Sequence, residues 1–214
     1  KPVYDAKLLA ELLSVSVWSM LHAFISVAPW LLFFVAVEHL GKTELAISNI
    51  TRSVSAVFFV IVNSFAVTTG SLVSNAIGAG ERRAVFIICR KILRLGYSAG
   101  FPLIGVAVCY NRLIIGIYTD NELLTEQAFI PFVVTLLNYT FALPGYVYLN
   151  AVGGTGKTRI TFLFQVTTTV VYLGYLYWLS ACTHASLAIY LTAEFLFVIL
   201  LALQSVFYLR CKHY

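Results

Sequence analysis

Only a few residues in this sequence could do chemistry away from water. Glu194 is one: it stands about ten residues into the last apolar stretch and is the sole acid deep within such a stretch. A carboxylate in hydrocarbon costs several kcal/mol unless it is protonated or paired, so it points to proton exchange or cation binding, with a hydrogen bond to a neighbouring helix as the plain alternative. Arg52 is the matching base, two turns inside the second stretch. A guanidinium there must snorkel, pair or face water. Glu38 and Glu44 border the preceding turn and are its expected partners, in an ion pair at the outer rim. His22 lies near Ser19 and Ser26 in the first stretch and reads as a hydrogen-bonded packing residue or a proton carrier.

The second stretch carries Asn49, Thr51, Ser55, Asn63, Thr68, Ser71 and Asn75 among its apolar residues. Such a helix either lines a water-filled cavity or is glued to its neighbours through small polar side chains. Aromatic residues Trp30, Phe34, Tyr139 and Tyr146 could face an organic cation within such a cavity, or could lie at the lipid surface. Pro29, Pro102 and Pro144 each free a backbone carbonyl and can kink a helix, which suits a protein that rocks between states. Pro131 is expected in the first turn of its helix, where proline costs little.

These residues need an apolar scaffold, and the composition supplies it. Of 214 residues, 60% are hydrophobic and 11% charged, with a mean hydropathy of +0.89. A soluble domain usually carries about a quarter charged residues. A bilayer core of about 30 Å needs about 20 apolar residues in a helix. Six stretches qualify, at about 15–37, 46–76, 92–110, 129–152, 160–181 and 185–209. The fold class is therefore all-α, a polytopic bundle of six transmembrane helices. Residues 1–14 form a linker or interfacial segment, 15–209 the transmembrane lobe and 210–214 a tail.

An even number of spans places both ends on one side. That side collects 11 of the 14 basic residues, among them Arg82, Arg83, Arg90, Lys91, Arg94, Lys157, Arg159, Arg210 and Lys212, and is therefore cytoplasmic. The other side holds Asp120, Glu122 and Glu126 in the segment 111–127. The net charge of +5 is thus a matter of topology; a nucleic-acid surface would need a basic face on a soluble fold. Cys89, Cys109, Cys182 and Cys211 form no close pair and read as small apolar packing residues, so neither a metal nor another cofactor is expected.

Several local patterns mislead. Gly153-Gly154-Thr155-Gly156-Lys157-Thr158 looks like a phosphate-binding loop, but the first glycine of that motif would fall on Ala151, and an apolar helix precedes it instead of a strand. Asn49-Ile50-Thr51 and Asn138-Tyr139-Thr140 match the glycosylation sequon yet lie in apolar stretches. More telling is an echo between two turns. Asn75-Ala76-Ile77-Gly78-Ala79-Gly80 and Asn150-Ala151-Val152-Gly153-Gly154-Thr155-Gly156 both end a helix in a glycine turn followed by basic residues.

Two segments, FFVAVEHLGKTELAISN (33–49) and LVSNAIGAGE (72–81), resemble the first two helices of the C-terminal lobe of multidrug and toxic compound extrusion (MATE) transporters, in the style of a bacterial, Bacteroidetes-like branch; LNAVGGTGKTR (149–159) resembles that lobe's turn between its fourth and fifth helices. The resemblance implies half of a twelve-helix antiporter. It implies export of cationic or amphipathic drugs from the cell in exchange for sodium ions or protons, across the plasma (inner) membrane. The chain would be the second lobe only, its partner an N-terminal lobe, as the absence of Met at position 1 also suggests. The family's cation-binding carboxylates would fall near Ser26 and near Ala142, where this chain has no acid, which leaves Glu194 as its own candidate. No enzyme activity is implied. A related lipid-linked oligosaccharide flippase is the alternative, but it would need a strongly cationic cavity, and only Arg52 lies within a span.

Overall fold

A computed structural model describes residues 6–182 and 186–212. Lys1 and the connection at Thr183 and His184 lie outside them. The described residues form eight helices: α1 (Ala6–Glu38), α2 (Lys42–Gly78), α3 (Ala84–Cys109), α4 (Asn111–Gly116), α5 (Glu122–Leu137), α6 (Tyr139–Gly154), α7 (Thr158–Cys182) and α8 (Leu187–Cys211). Among them, six spans are long and apolar enough to cross a membrane, the fourth being α5 and α6 in series from Glu122 to Gly154. The six expected spans are all present, and most of their limits move outward. α1 begins at Ala6, and α2 runs 37 residues, or about 55 Å at about 1.5 Å per residue. That length exceeds the hydrocarbon core, so α2 must tilt or project beyond it.

The fourth span starts earlier than its apolar run because Asn121 caps it. The Asn121 Oδ1 accepts the backbone N–H groups of Leu123 and Leu124 at 3.0 and 3.3 Å, satisfying two orphan donors of the first turn. Pro131 consequently lies inside α5 and not in its first turn. The short helix α4 had no counterpart in the apolar pattern, since six residues leave no periodicity to read.

Small residues decide which helices meet. α2 and α6 share the most extensive contact. A Cβ on Gly154 would sit 2.5 Å from the Gly70 carbonyl oxygen, and one on Gly70 would sit 3.3 Å from that of Asn150. Gly70 thus serves close approach; α2 continues unbroken through it. α6 touches α8 where a Cβ on Gly145 would meet the Val198 carbonyl at 2.8 Å. α3 offers Gly96 and Gly100, one turn apart, to Leu143 and Tyr139 of α6. The same contact carries two hydrogen bonds in opposite directions. The Tyr139 hydroxyl donates to the Gly96 carbonyl (2.6 Å), and the Tyr97 hydroxyl donates to the Thr140 carbonyl (2.7 Å). Thr140 is four residues before Pro144, which has no N–H to give it, so Tyr97 satisfies the acceptor that the proline orphans.

The two echoing turns close in the same way. Gly80 and Gly156 have φ of 81° and 80°, the left-handed C-cap conformation that glycine adopts without a steric penalty. Around Gly80 the Glu81 and Gly80 N–H groups bond to the Ala76 and Ile77 carbonyls at 2.9 and 3.0 Å. Large apolar side chains such as Phe24, Val60, Ile130 and Phe207 point outward, the surface expected where lipid is the solvent. Cys89 packs inside, as expected of a small apolar residue, whereas Cys109 and Cys211 are exposed.

Candidate functional site

The two charges met in the sequence meet in space. Arg52 stands on the third turn of α2 and Glu194 on the second turn of α8. The Arg52 Nη2 donates to the Glu194 Oε1. The arginine side chain is 5% exposed and the glutamate 23%. This corrects the expected rim pair. Glu44 lies eight residues before Arg52 on the same helix, about 12 Å along its axis, and Glu38 is exposed at the end of α1. α8 instead delivers a carboxylate at the depth of the guanidinium.

Aromatic rings of α1 hold the guanidinium. Its central carbon is 4.0 Å from the Phe33 ring centre, 4.6 Å from Trp30 and 5.2 Å from Phe34. Each contact lets a ring quadrupole replace part of the lost hydration. The Tyr172 hydroxyl of α7 adjoins the same guanidinium. The second carboxylate oxygen, Oε2, accepts a long hydrogen bond of 3.4 Å from the Asn138 Nδ2. Asn138 stands at the junction between α5 and α6, so the interruption in the fourth span faces the buried acid. Two polar atoms here are buried without a hydrogen-bond partner: the Arg52 Nε and the Asn138 Oδ1.

The pair lies on the wall of a cavity of about 80 Å³, shared by α1, α2, α5, α6, α7 and α8. By the rule that about 10–15 Å³ of such space admits a water, it has room for several. Trp30, Phe58, Phe59, Tyr139, Tyr146 and Tyr172 give it aromatic walls. Ser26 and Ala142, the positions singled out by the family resemblance, line it as well. A second cavity, of about 380 Å³, lies one turn nearer the start of α1. It is bounded by His22, Ser71, Asn150 and Thr161 where α2 and α6 approach through Gly70 and Gly154. The His22 Nε2 is buried there without a partner.

Of the residues singled out in the sequence, Glu194, Arg52 and Tyr139 come together in the first cavity, and His22 stands at the second. Asn49 and Asn63 do not join them; both are exposed on α2 and line neither cavity. Asn138 and Tyr172 join the site without having been expected there. Asn138 does carry a signal, a carboxamide in the middle of an apolar run, although it stands out first as part of an unusable sequon. Nothing in the local sequence marks Tyr172 among the aromatic residues of α7. The glycine-rich segment 153–156 closes the C-terminus of α6, so it presents carbonyls where a phosphate loop would present N–H groups.

A bundle of six spans around an aromatic-walled cavity that holds a buried ion pair defines a polytopic helical membrane protein. The chain belongs to the MatE family, whose model matches residues 19–178. Its fold is similar to that of a solved structure described as the crystal structure of MATE in complex with MaL6, with a TM-score of 0.84 at 14% sequence identity. The match covers 98% of this chain and 48% of that one, so the chain spans about half the length of the structure it matches. No curated protein matches the sequence.

Proposed function

We propose that the chain is one lobe of a secondary active exporter that moves cationic or amphipathic organic compounds by alternating access, in exchange for sodium ions or protons. The observation that carries this reading is the buried Arg52–Glu194 pair on the wall of the aromatic cavity. Aromatic faces suit the body of an organic cation, and Glu194 is the carboxylate to which an amine, a sodium ion or a proton would bind. A second lobe would close the cavity from the opposite side, and rocking of the two lobes would expose it to each face of the membrane in turn. The membrane is the plasma (inner) membrane, with the ends of the chain in the cytoplasm beside the basic turns.

The flippase reading is weaker. A lipid-linked sugar phosphate calls for excess positive charge, whereas Arg52 is the sole base lining its cavity among the described residues and is neutralised by Glu194. Efflux measured with the full chain tests the exporter reading. Glu194→Gln keeps shape and hydrogen bonding but removes the titratable group, so it should lower ion-coupled efflux more than expression. Unchanged efflux across a range of pH and sodium concentration would assign coupling elsewhere. Lipid flipping without dye efflux by the native protein would favour the alternative.

A further inference from the structure

The guanidinium of Arg52 is covered on its faces and incompletely used on its edge. Phe33 and Trp30 lie 4.0 and 4.6 Å from its central carbon. Of its five N–H donors, Nη2 reaches the Glu194 Oε1, while Nε has no hydrogen-bond partner although the side chain is only 5% exposed. The edge formed by Nε and one Nη is one that matches both oxygens of a carboxylate in a fork. Glu194 places a single oxygen on the guanidinium. Its other oxygen turns instead to Asn138, in a hydrogen bond of 3.4 Å. Asn138 in turn leaves its Oδ1 unpaired. Both atoms belong to residues that line the cavity, and a buried donor or acceptor left without a partner is costly.

We infer that this cavity reads a carboxylate on the transported compound: the ligand's carboxylate takes the Nε–Nη edge of Arg52 and displaces Glu194, which then faces the ligand's own cationic group. The preferred ligands are therefore amphipathic zwitterions, with an aromatic body between the two charges. The inference rests on the exporter reading and narrows its substrate class. The cavity of about 80 Å³ admits the carboxylate-bearing group and leaves the rest of the molecule at its mouth, against Phe59 and Tyr146. Glu194 acts as an internal competitor. It keeps Arg52 paired when the cavity is empty, and its partial exposure of 23% leaves it free to swing without entering a dry interior.

A matched pair of dyes separates charge from shape: a rhodamine with a free benzoate, which is a zwitterion, and its methyl ester, which is a cation with the same rings. Binding to the purified full chain in detergent is followed by fluorescence polarisation. The free acid should bind about tenfold more tightly than the ester. Arg52→Lys keeps the charge but loses the planar fork, and should narrow that ratio towards one. Glu194→Gln removes the competing carboxylate and should widen it. Opposite effects of the two substitutions on one ratio would not arise from loss of folding, which would weaken both dyes together. Equal binding of acid and ester, or a ratio that Glu194→Gln leaves unchanged, would overturn the carboxylate reading and leave the exporter reading in place. Failure of both dyes to bind would overturn both.

Discussion

Gly100→Ala should destabilise the protein, although alanine is the better helix former. A Cβ at this position would lie 2.2 Å from the Tyr139 Cζ and 2.3 Å from its hydroxyl oxygen. The ring cannot simply step aside, because it is 3% exposed and packs edge-on against Phe58 with centroids 6.3 Å apart. Overpacking of this kind costs about 1–3 kcal/mol. Moving the ring also breaks the 2.6 Å hydrogen bond to the Gly96 carbonyl, worth about 1 kcal/mol. Alanine returns about 1 kcal/mol of helix propensity. The balance is a loss of about 1–3 kcal/mol. Gly105→Ala in the same helix provides the control: nothing lies within 4 Å of its added Cβ, so propensity alone acts and stability should rise by up to about 1 kcal/mol. Thermal unfolding of the purified full chain in detergent, followed by circular dichroism, compares the two. Because Tyr139 lines the cavity, Gly100→Ala should also weaken dye binding while Gly105→Ala does not. Equal melting temperatures for the two variants would refute the close approach of α3 and α6 at this point.

Gly154→Ala meets the Gly70 carbonyl oxygen at 2.5 Å, a backbone atom that cannot rotate away, so its melting temperature should fall further than that of Gly100→Ala. Tyr97→Phe leaves the Thr140 carbonyl without the donor that replaces the missing Pro144 N–H, and should cost about 1–2 kcal/mol in the same assay. Arg52→Gln and Glu194→Gln should each cost about 2–4 kcal/mol, and the double substitution should cost about 1–3 kcal/mol less than their sum; additive effects would show that the two charges are not coupled. Cysteine placed at Asn121, with the four native cysteines replaced, should react with an impermeant reagent from outside the cell, and cysteine at Arg82 or Lys157 from the cytoplasm; labelling at position 121 from the cytoplasm alone would overturn the topology.

The spans were legible because hydropathy acts over about 20 residues and averages out local irregularity. The glycine caps at Gly80 and Gly156 were legible because the need for a left-handed residue is local. The partner of Arg52 was not, because a pair across 142 positions leaves no trace in the spacing of either residue. Proximity along the chain favoured Glu38 and Glu44, but a helix carries residues eight positions apart about 12 Å away from each other. The start of α5 was hidden for another reason. Hydropathy reports where lipid begins, whereas a helix begins where its first N–H groups find acceptors, and Asn121 supplies these outside the apolar run. Gly96 and Gly100 offered a sequence signal that composition alone does not expose: a pair of small residues one turn apart on a membrane helix.

Charge placement within the cavity has a mechanical consequence. The family resemblance puts carboxylates near Ser26 on α1 and near Ala142 on α6, and both positions do face this cavity, but here the charges come from α2 and α8 and sum to zero. Two acids on α1 and α6 would draw a metal ion or an organic cation into an otherwise negative space. With Arg52 already on Glu194, an incoming cation must instead compete with a tethered guanidinium that three aromatic rings help to retain. On the proposed reading, a permanent cation against the aromatic rings of α1 would raise the threshold for simple cations, and a ligand that brings its own carboxylate would lower it again. Exchange of partners within this pair would then need only side-chain rotation of Glu194 and would leave the close glycine contacts of α2, α3 and α6 undisturbed.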